Sequence, residues 1–277
     1  MGGMQRHSSL LAMHLAQRED VELTVLHPHT VPLFDAKLGI KEVHVPPIDP
    51  EKLYLRELWR YSAAVAQVLD RVGGDVIMSQ GFCVWKDVDR FKGRLIVHPH
   101  GLEMFQGLTV KDKLIGLPFR MLLRYLVARS RVTISLGGKL TGILNKLAKG
   151  TTGKIAVLPN AVEVPSVQVI QDRNATLRIL FVGRFAFNKG IDVLMSVAER
   201  LVAEGHGGRL QFELAGSGSL LEHFKSKGLP SNVQLLGRVE DDELFALYTQ
   251  CDAFLLPTRF EGMPTVVFEA MARSMPI

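Results

Sequence analysis

Short apolar runs alternate along the chain with longer stretches in which apolar positions return every three or four residues. "VELTVL" (21–26), "DVIMS" (75–79), "RLIVH" (94–98), "VTISL" (132–136) and "IAVLP" (155–159) read as buried strands. Helical patterns lie between them, such as "LYLRELWRYSAAVAQVLDRV" (53–72), where Leu, Trp, Ala and Val recur at helical spacing. The stretch "VPSVQVIQDRNAT" is polar and aperiodic, and reads as a linker over 163–176. The alternation then restarts with strands "LRILFVG" (177–183), "LQFELAG" (210–216), "NVQLLG" (232–237) and "DAFLLP" (252–257), and with helices over 190–205 and 241–251.

Strand–helix alternation builds parallel sheets covered on both faces. The expected fold is therefore α/β, with two Rossmann-like domains, 1–162 and 177–277, facing each other across a cleft. Ligands of such sheets bind beyond the carboxyl ends of the strands. The loops after Gly183, Gly216, Gly237 and Pro257 are thus expected on one rim. The first domain begins at Gly2-Gly3 and enters a helical pattern from about Ser8, without the opening strand that a doubly wound domain calls for.

Composition narrows the class. A length of 277 residues, 47% hydrophobic and 22% charged, suits two ordinary globular domains. Cys83 and Cys251 stand far apart with no metal-ligand spacing, which points to a reducing compartment and away from a disulfide frame or zinc site. No uncharged apolar run reaches the roughly 18–20 residues of a membrane span, and the start lacks the solid apolar region of a signal peptide. "MGGMQR" also fits a myristoylation signal poorly. Charge is divided unevenly: 22 Lys and Arg against 14 Asp and Glu in 1–162, but 11 against 14 in 163–277. Opposite signs suggest two modules with different partners.

Three strand–turn–helix junctions carry candidate chemistry. In "FVGRFAFNKGIDVL" (181–194), Gly183 allows a tight exit from the strand, and Arg184 and Lys189 flank the mouth of the next helix. A guanidinium fork and a mobile ammonium there form a diphosphate clamp, or are ordinary surface cations of an exposed loop. In "ELAGSGSLLEHF" (213–224), Gly216-Ser217-Gly218 permits close backbone approach, although the piece alone reads as a simple turn and does not complete a dinucleotide fingerprint. In "TRFEGMPTVVFEAMARSMPI" (258–277), Pro264 suits a first helical turn, with the backbone N–H groups of 262–266 as an anion site. Glu261 and Glu269 flank that mouth. Ionised carboxylates accept several hydrogen bonds and donate none, so the pair suits sugar or ribose hydroxyls. The alternative is a helix-dipole partner and a solvated surface charge, which suits Glu269 poorly between Phe268 and Ala270.

Together "GRFAFNKG", "GSG", "LGRV", "LYTQCDAFLLPT" and "EGMPTVVFEAMARSMP" resemble the nucleotide-sugar domain of the retaining family 4 glycosyltransferases of GT-B fold, and Glu261 and Glu269 match that family's Glu-x7-Glu motif. The first half is more loosely similar, through "GGMQRH", "HPHGLEMF" (98–105) and "VLPNAVE" (157–163). The resemblance implies that Arg184 and Lys189 contact the donor diphosphate and that Glu269 binds ribose hydroxyls. It also implies that Glu261 and the backbone of Gly262, Met263, Pro264 and Thr265 hold the sugar. Backbone near Arg238 and Val239 would lie against the base, Gly183, Gly216 and Gly218 would border the donor, and Gly3 would approach phosphate or acceptor. His100 would sit beside the transferred sugar, with His98 as its rival. Catalytic roles then fall to His100, Arg184, Lys189 and Glu261. The family transfers with retention and without a metal or cofactor, most often from UDP-sugars. The second domain would be incomplete, because "MPI" begins a further strand in the family and a missing tail would leave core exposed. Rival readings are a GT-B protein that binds a nucleotide sugar without transferring it, or an epimerase or phosphorylase of the same fold.

The acceptor half says less. "KDKLIGLPFRMLLRYLVARSR" (111–131) holds six basic residues and one acidic among Leu, Met, Phe and Tyr. It reads as a helix packed on its own sheet with arginines outward, or as a surface that meets anionic lipid, where a lipid-linked or cell-envelope acceptor is found. Nucleic acid is not expected, because no aromatic stacking surface interleaves the arginines. The expected location is cytoplasmic, with peripheral contact at the inner face of the membrane as the second possibility.

Overall fold

The computed structural model describes residues 3–165 and 176–277. It divides into two compact units, Met1–Asn160 and Ala161–Ile277. Most of the expected linker, 166–175, lies outside the described residues.

The first unit opens with helix α1 (Gly3–Ala16). The helix starts earlier than the expected Ser8, because nothing in "GMQRHSSLLAMHLA" breaks it and Gly3 is tolerated at its first position. Strand β1 (Thr24–His27) pairs in parallel with β2 (Lys41–His44). The sequence pattern did not announce β2, since "KEVH" is short and half charged. Helix α2 (Tyr54–Val72) buries Leu58, Ser62, Val65, Ala66 and Leu69, one face at helical spacing, and ends at Gly73 with φ 76°. Ser62 Oγ accepts from the backbone N–H groups of Trp85 and Lys86 at 2.6 and 2.7 Å, which pins the loop that follows the next strand.

Strands β3 (Ile77–Gln80), β4 (Leu95–His98), β5 (Val132–Ser135) and β6 (Lys154–Val157) then form a second, all-parallel sheet in that order. Helices α3 (Val110–Ile115) and α4 (Leu117–Arg129) connect β4 to β5, and α5 (Gly138–Ala148) connects β5 to β6. The single sheet expected of a doubly wound domain is thus two parallel sheets among the described residues. They share one core, in which Leu26 and Val45 join Leu58, Ile77, Leu95 and Val97.

The second unit follows the expected order closely: β7 (Leu177–Val182), α6 (Ile191–Ala203), β8 (Leu210–Ala215), α7 (Leu221–Lys227), β9 (Val233–Gly237), α8 (Asp241–Gln250), β10 (Ala253–Phe254) and α9 (Thr265–Ala272). Helix α6 buries Ile191, Leu194, Met195 and Ala198 at i, i+3, i+4 and i+7. All pairings are parallel, and the strand order is β10-β7-β8-β9. The chain therefore builds outward from β7 to β9 and then crosses to the other side of β7. That reversal is a topological switch point, where loops leaving adjacent strands diverge and open a crevice. Beyond α9, Pro276 O accepts from Phe254 N–H at 2.7 Å, so the last residues run beside β10.

Candidate functional site

The switch point of the second unit lies between β7 and β10, and two loops meet there. The first leaves β7 through Gly183 and Arg184, makes a tight turn over Phe187–Lys189, and enters α6 at Gly190. Gly190 has φ 70°, and a Cβ there would overlap the carbonyl oxygen of Pro257, so only glycine lets the loops close on each other. The second loop runs from Leu255 to Pro264. Asn188 O accepts from Arg259 N–H and from Thr258 Oγ1, both at 2.9 Å. The Arg259 guanidinium forks onto both oxygens of Asp192 at 2.7 Å and lies 3.8 Å from the Phe187 ring centroid.

This lacing carries Lys189 onto Glu261, 72 residues away in sequence, as an ion pair with each side chain 17% exposed. Arg184 is exposed on the same loop. The fold thus joins Lys189 of the first junction to Glu261 of the third, two residues that the sequence offered separately, with Gly262, Met263 and Pro264 half-buried beside them. Helix α9 begins at Thr265, and Pro264 occupies the position before it.

The remaining expected residues divide by strand order. Gly216 follows β8 with φ 141°, and its missing Cβ leaves room for the carbonyl of Gly183; Gly218 backs onto Phe185. Both glycines thus serve close packing between the loops after β7 and β8, with Phe185 N–H donating to Ser217 O at 2.9 Å. Arg238 is exposed and Val239 half-buried after β9, two strands from β7. Glu269 is neither solvated nor at the surface. It is 3% exposed on α9 and accepts from the Tyr248 hydroxyl at 3.0 Å. Tyr248, on α8, belongs to the apolar core of this unit, and nothing in the sequence pattern singles it out as a partner of Glu269.

The first unit gathers three imidazoles. His98 ends β4 and Gln80 ends β3, and the two are register partners in neighbouring parallel strands. His100, two residues beyond His98, turns back at φ 60°, in the left-handed region that non-glycine residues avoid. Its Nε2 lies 2.5 Å from Gln80 Oε1, an arrangement that favours the tautomer protonated on Nε2 and leaves Nδ1 as acceptor. His98 stacks on His100 with ring centroids 3.9 Å apart, and His7 of α1 meets both rings edge-on at 5.2 and 5.8 Å. His98 is fully buried, and among the described residues neither of its ring nitrogens finds a hydrogen-bond partner, nor does the buried Nε2 of His7.

Burial, and then the neighbouring His7, lower His98 to about 4. Burial, with His98 and His7 behind it, lowers His100 to about 3, and burial also lowers His7. All three rings are neutral at pH 7. His100 is the half-buried member, so the two expected rivals separate into a core ring and a presented one. Gly3 opens α1, the helix that brings His7 to this cluster. His7 and Gln80 escaped notice, the first for lying in a weakly patterned helix. Gln80 was legible only through the strand register.

Among the described residues no group of three or more His, Cys, Asp or Glu is placed to hold a metal ion. Burial raises Cys83 to about 11, and burial followed by the Glu213 charge raises Cys251 to about 12, so neither is a ready nucleophile.

Two successive parallel-sheet units, the second with a cation–carboxylate node at its switch point, place the protein in the GT-B class. The solved structures agree: a sucrose-phosphate synthase from Thermosynechococcus elongatus superposes with TM-score 0.79 over 99% of this chain and 75% of its own, at 16% identity. WaaG, a glycosyltransferase involved in lipopolysaccharide biosynthesis, gives 0.73 over 100% and 77%, at 17% identity. The chain belongs to glycosyltransferase family 4: residues 1–164 match the family of that description, and residues 176–277 match glycosyl transferases group 1. An uncharacterized glycosyltransferase of Methanocaldococcus jannaschii is 31% identical over 138 residues, 49% of this chain and 36% of that protein. The chain spans less than half the length of the curated relatives it matches first, 26% to 49%.

Proposed function

We propose that the protein moves a sugar from a nucleoside-diphosphate sugar, a UDP-sugar in the first instance, to an acceptor hydroxyl with retention at the anomeric carbon. The observation that carries this reading is the Lys189–Glu261 pair at the switch point, with Arg184 exposed on the same loop. Before donor binding, each charge of the pair satisfies the other. An arriving diphosphate competes for Lys189, and sugar hydroxyls replace it on Glu261, so the node is a binding device in waiting.

Arg184 and Lys189 then stabilise the charge that develops on the departing diphosphate. The bond between the anomeric carbon and the phosphate oxygen breaks with its electron pair going to phosphate. The acceptor oxygen bonds to the same face of that carbon, and its proton passes to a phosphate oxygen. Glu261 is occupied in binding, so the reaction calls on no carboxylate pair astride the carbon, in contrast with retaining hydrolases. The two cations fill the charge-neutralising role that a divalent metal has in other transferases, and no cofactor is required. Glu269, oriented by Tyr248, is assigned to the ribose, and neutral His100 to hydrogen bonding with the transferred sugar. We take the acceptor to be a carbohydrate or lipid-linked sugar in a reducing, cytoplasmic setting, in keeping with two free cysteines. Release of nucleoside diphosphate from a panel of nucleotide sugars tests the reading. Wild type should turn over one donor, and Arg184→Ala should lose at least 100-fold on the order of one removed transition-state donor. Equal turnover by the variant, or none by wild type with any donor, sinks it.

A further inference from the structure

Helices α3 and α4 run almost without a break, since Gly116 between them keeps helical angles and its N–H donates to Asp112 O at 2.9 Å. Leu122, Leu123, Leu126 and Val127 are buried and fix the inward face of α4. The outward face is not the polar one that such a helix ordinarily shows. Val110, Leu114, Leu117, Met121 and Tyr125 are exposed at 74%, 66%, 50%, 66% and 36%. Their intervals of four, three, four and four residues place them in one stripe about 80° wide, opposite the buried side chains.

The flanks of the stripe are basic. Lys111, Lys113 and Arg124 are exposed beside it, and the acidic residue of the segment, Asp112, is drawn into a capping box with Thr109. At its far end Arg129 lies 3.8 Å from the Tyr125 ring centroid and borders an open recess of about 580 Å³, which Lys92, Arg131 and Lys154 also line beside Asp89. A ridge of apolar side chains between rows of cations matches the interfacial region of an anionic bilayer. Acyl chains accept the ridge there and headgroup phosphates accept the cations. A protein partner would have to bring a matching acidic rim and an apolar trough, whereas a bilayer presents both everywhere.

We infer that the α3–α4 face is a membrane-docking surface for anionic lipid, through which the first unit rests on the bilayer without spanning it. Docking requires no catalytic competence, so its test stands apart from the proposed transfer reaction. Flotation of the full chain with phosphatidylcholine vesicles, with and without 30% phosphatidylglycerol by mole (about a third, enough for a strongly negative surface), reads it directly. Wild type should float with the anionic vesicles and stay behind with the neutral ones. Replacing Lys111, Lys113 and Arg124 together by Gln should weaken partitioning on the order of 100-fold, about fivefold per charge. Leu114→Ser with Met121→Ser should abolish flotation, and both variants should keep wild-type circular dichroism because every altered side chain is exposed. No flotation of wild type at low salt overturns the inference. So does undiminished flotation of the variants, or a dimer that the Leu114→Ser and Met121→Ser changes dissolve without any vesicle binding.

Discussion

Acid should loosen the first unit, and His98 should be a principal cause. The ring is fully buried beside His7 and His100, and its two nitrogens reach no partner among the described residues. The unfolded chain takes up a proton on this side chain near 6.5, whereas the folded protein resists until about 4. The unfolded state therefore binds more protons throughout that window. Stability is complete at pH 7, falls as pH drops through 6.5, and levels off below the folded value. At pH 5 the loss is about 2 kcal/mol for His98, from roughly 1.5 pH units at 1.36 kcal/mol each. His100, lowered to about 3, contributes a loss of similar size. Most carboxylates are ionised in both states between pH 5 and 7 and add little. His98→Phe keeps a flat ring in the stack and removes two unpaired nitrogens, so stability at pH 7 should change by no more than about 1 kcal/mol. Its loss between pH 7 and 5 should shrink by about 2 kcal/mol. Urea unfolding followed by tryptophan fluorescence suits the question, because both tryptophans, Trp59 and Trp85, lie in the first unit with ring centroids 4.9 Å apart. A variant as acid-labile as wild type would refute the neutral-stack argument.

Two further substitutions probe the loops and the imidazole. Gly190→Ala should cost at least about 2 kcal/mol in thermal or urea unfolding of the second unit, because φ 70° and the Pro257 carbonyl both oppose a Cβ. The same change at Gly208, which faces open space, should cost under about 1 kcal/mol and serves as the control. Gln80→Leu should leave the fold intact, release the Nε2 tautomer of His100 and reduce transfer about tenfold. Imidazole nitrogen chemical shifts report the tautomer independently of activity, and unchanged shifts would remove Gln80 from its positioning role.

The sequence was most legible where physics is local. Short apolar runs located the four strands described in the second unit, because strands of a parallel sheet covered on both faces are largely apolar. They missed β2, whose "KEVH" is held by its neighbour's register more than by its own burial. The cation–carboxylate node was readable as residue types, Lys189 in one loop and Glu261 in another. Their pairing across 72 residues came only with the strand order that sets β10 beside β7. Glycines were ambiguous for a physical reason: Gly216 and Gly218 permit close approach of backbone, and here the approaching group is the loop after β7. Tyr248 and His7 stayed hidden because a buried polar group looks, in sequence, like any core or surface residue until its neighbours are known.

The Lys189–Glu261 node should receive a nucleoside-diphosphate sugar. Calorimetric titration of UDP and GDP into the full chain, beside Lys189→Met, tests it most directly. One of the two nucleotides should bind wild type, and Lys189→Met should weaken it at least tenfold, the equivalent of about 1.4 kcal/mol for one charge-assisted phosphate contact. No binding of either nucleotide to wild type, or equal affinity in the variant, would contradict it.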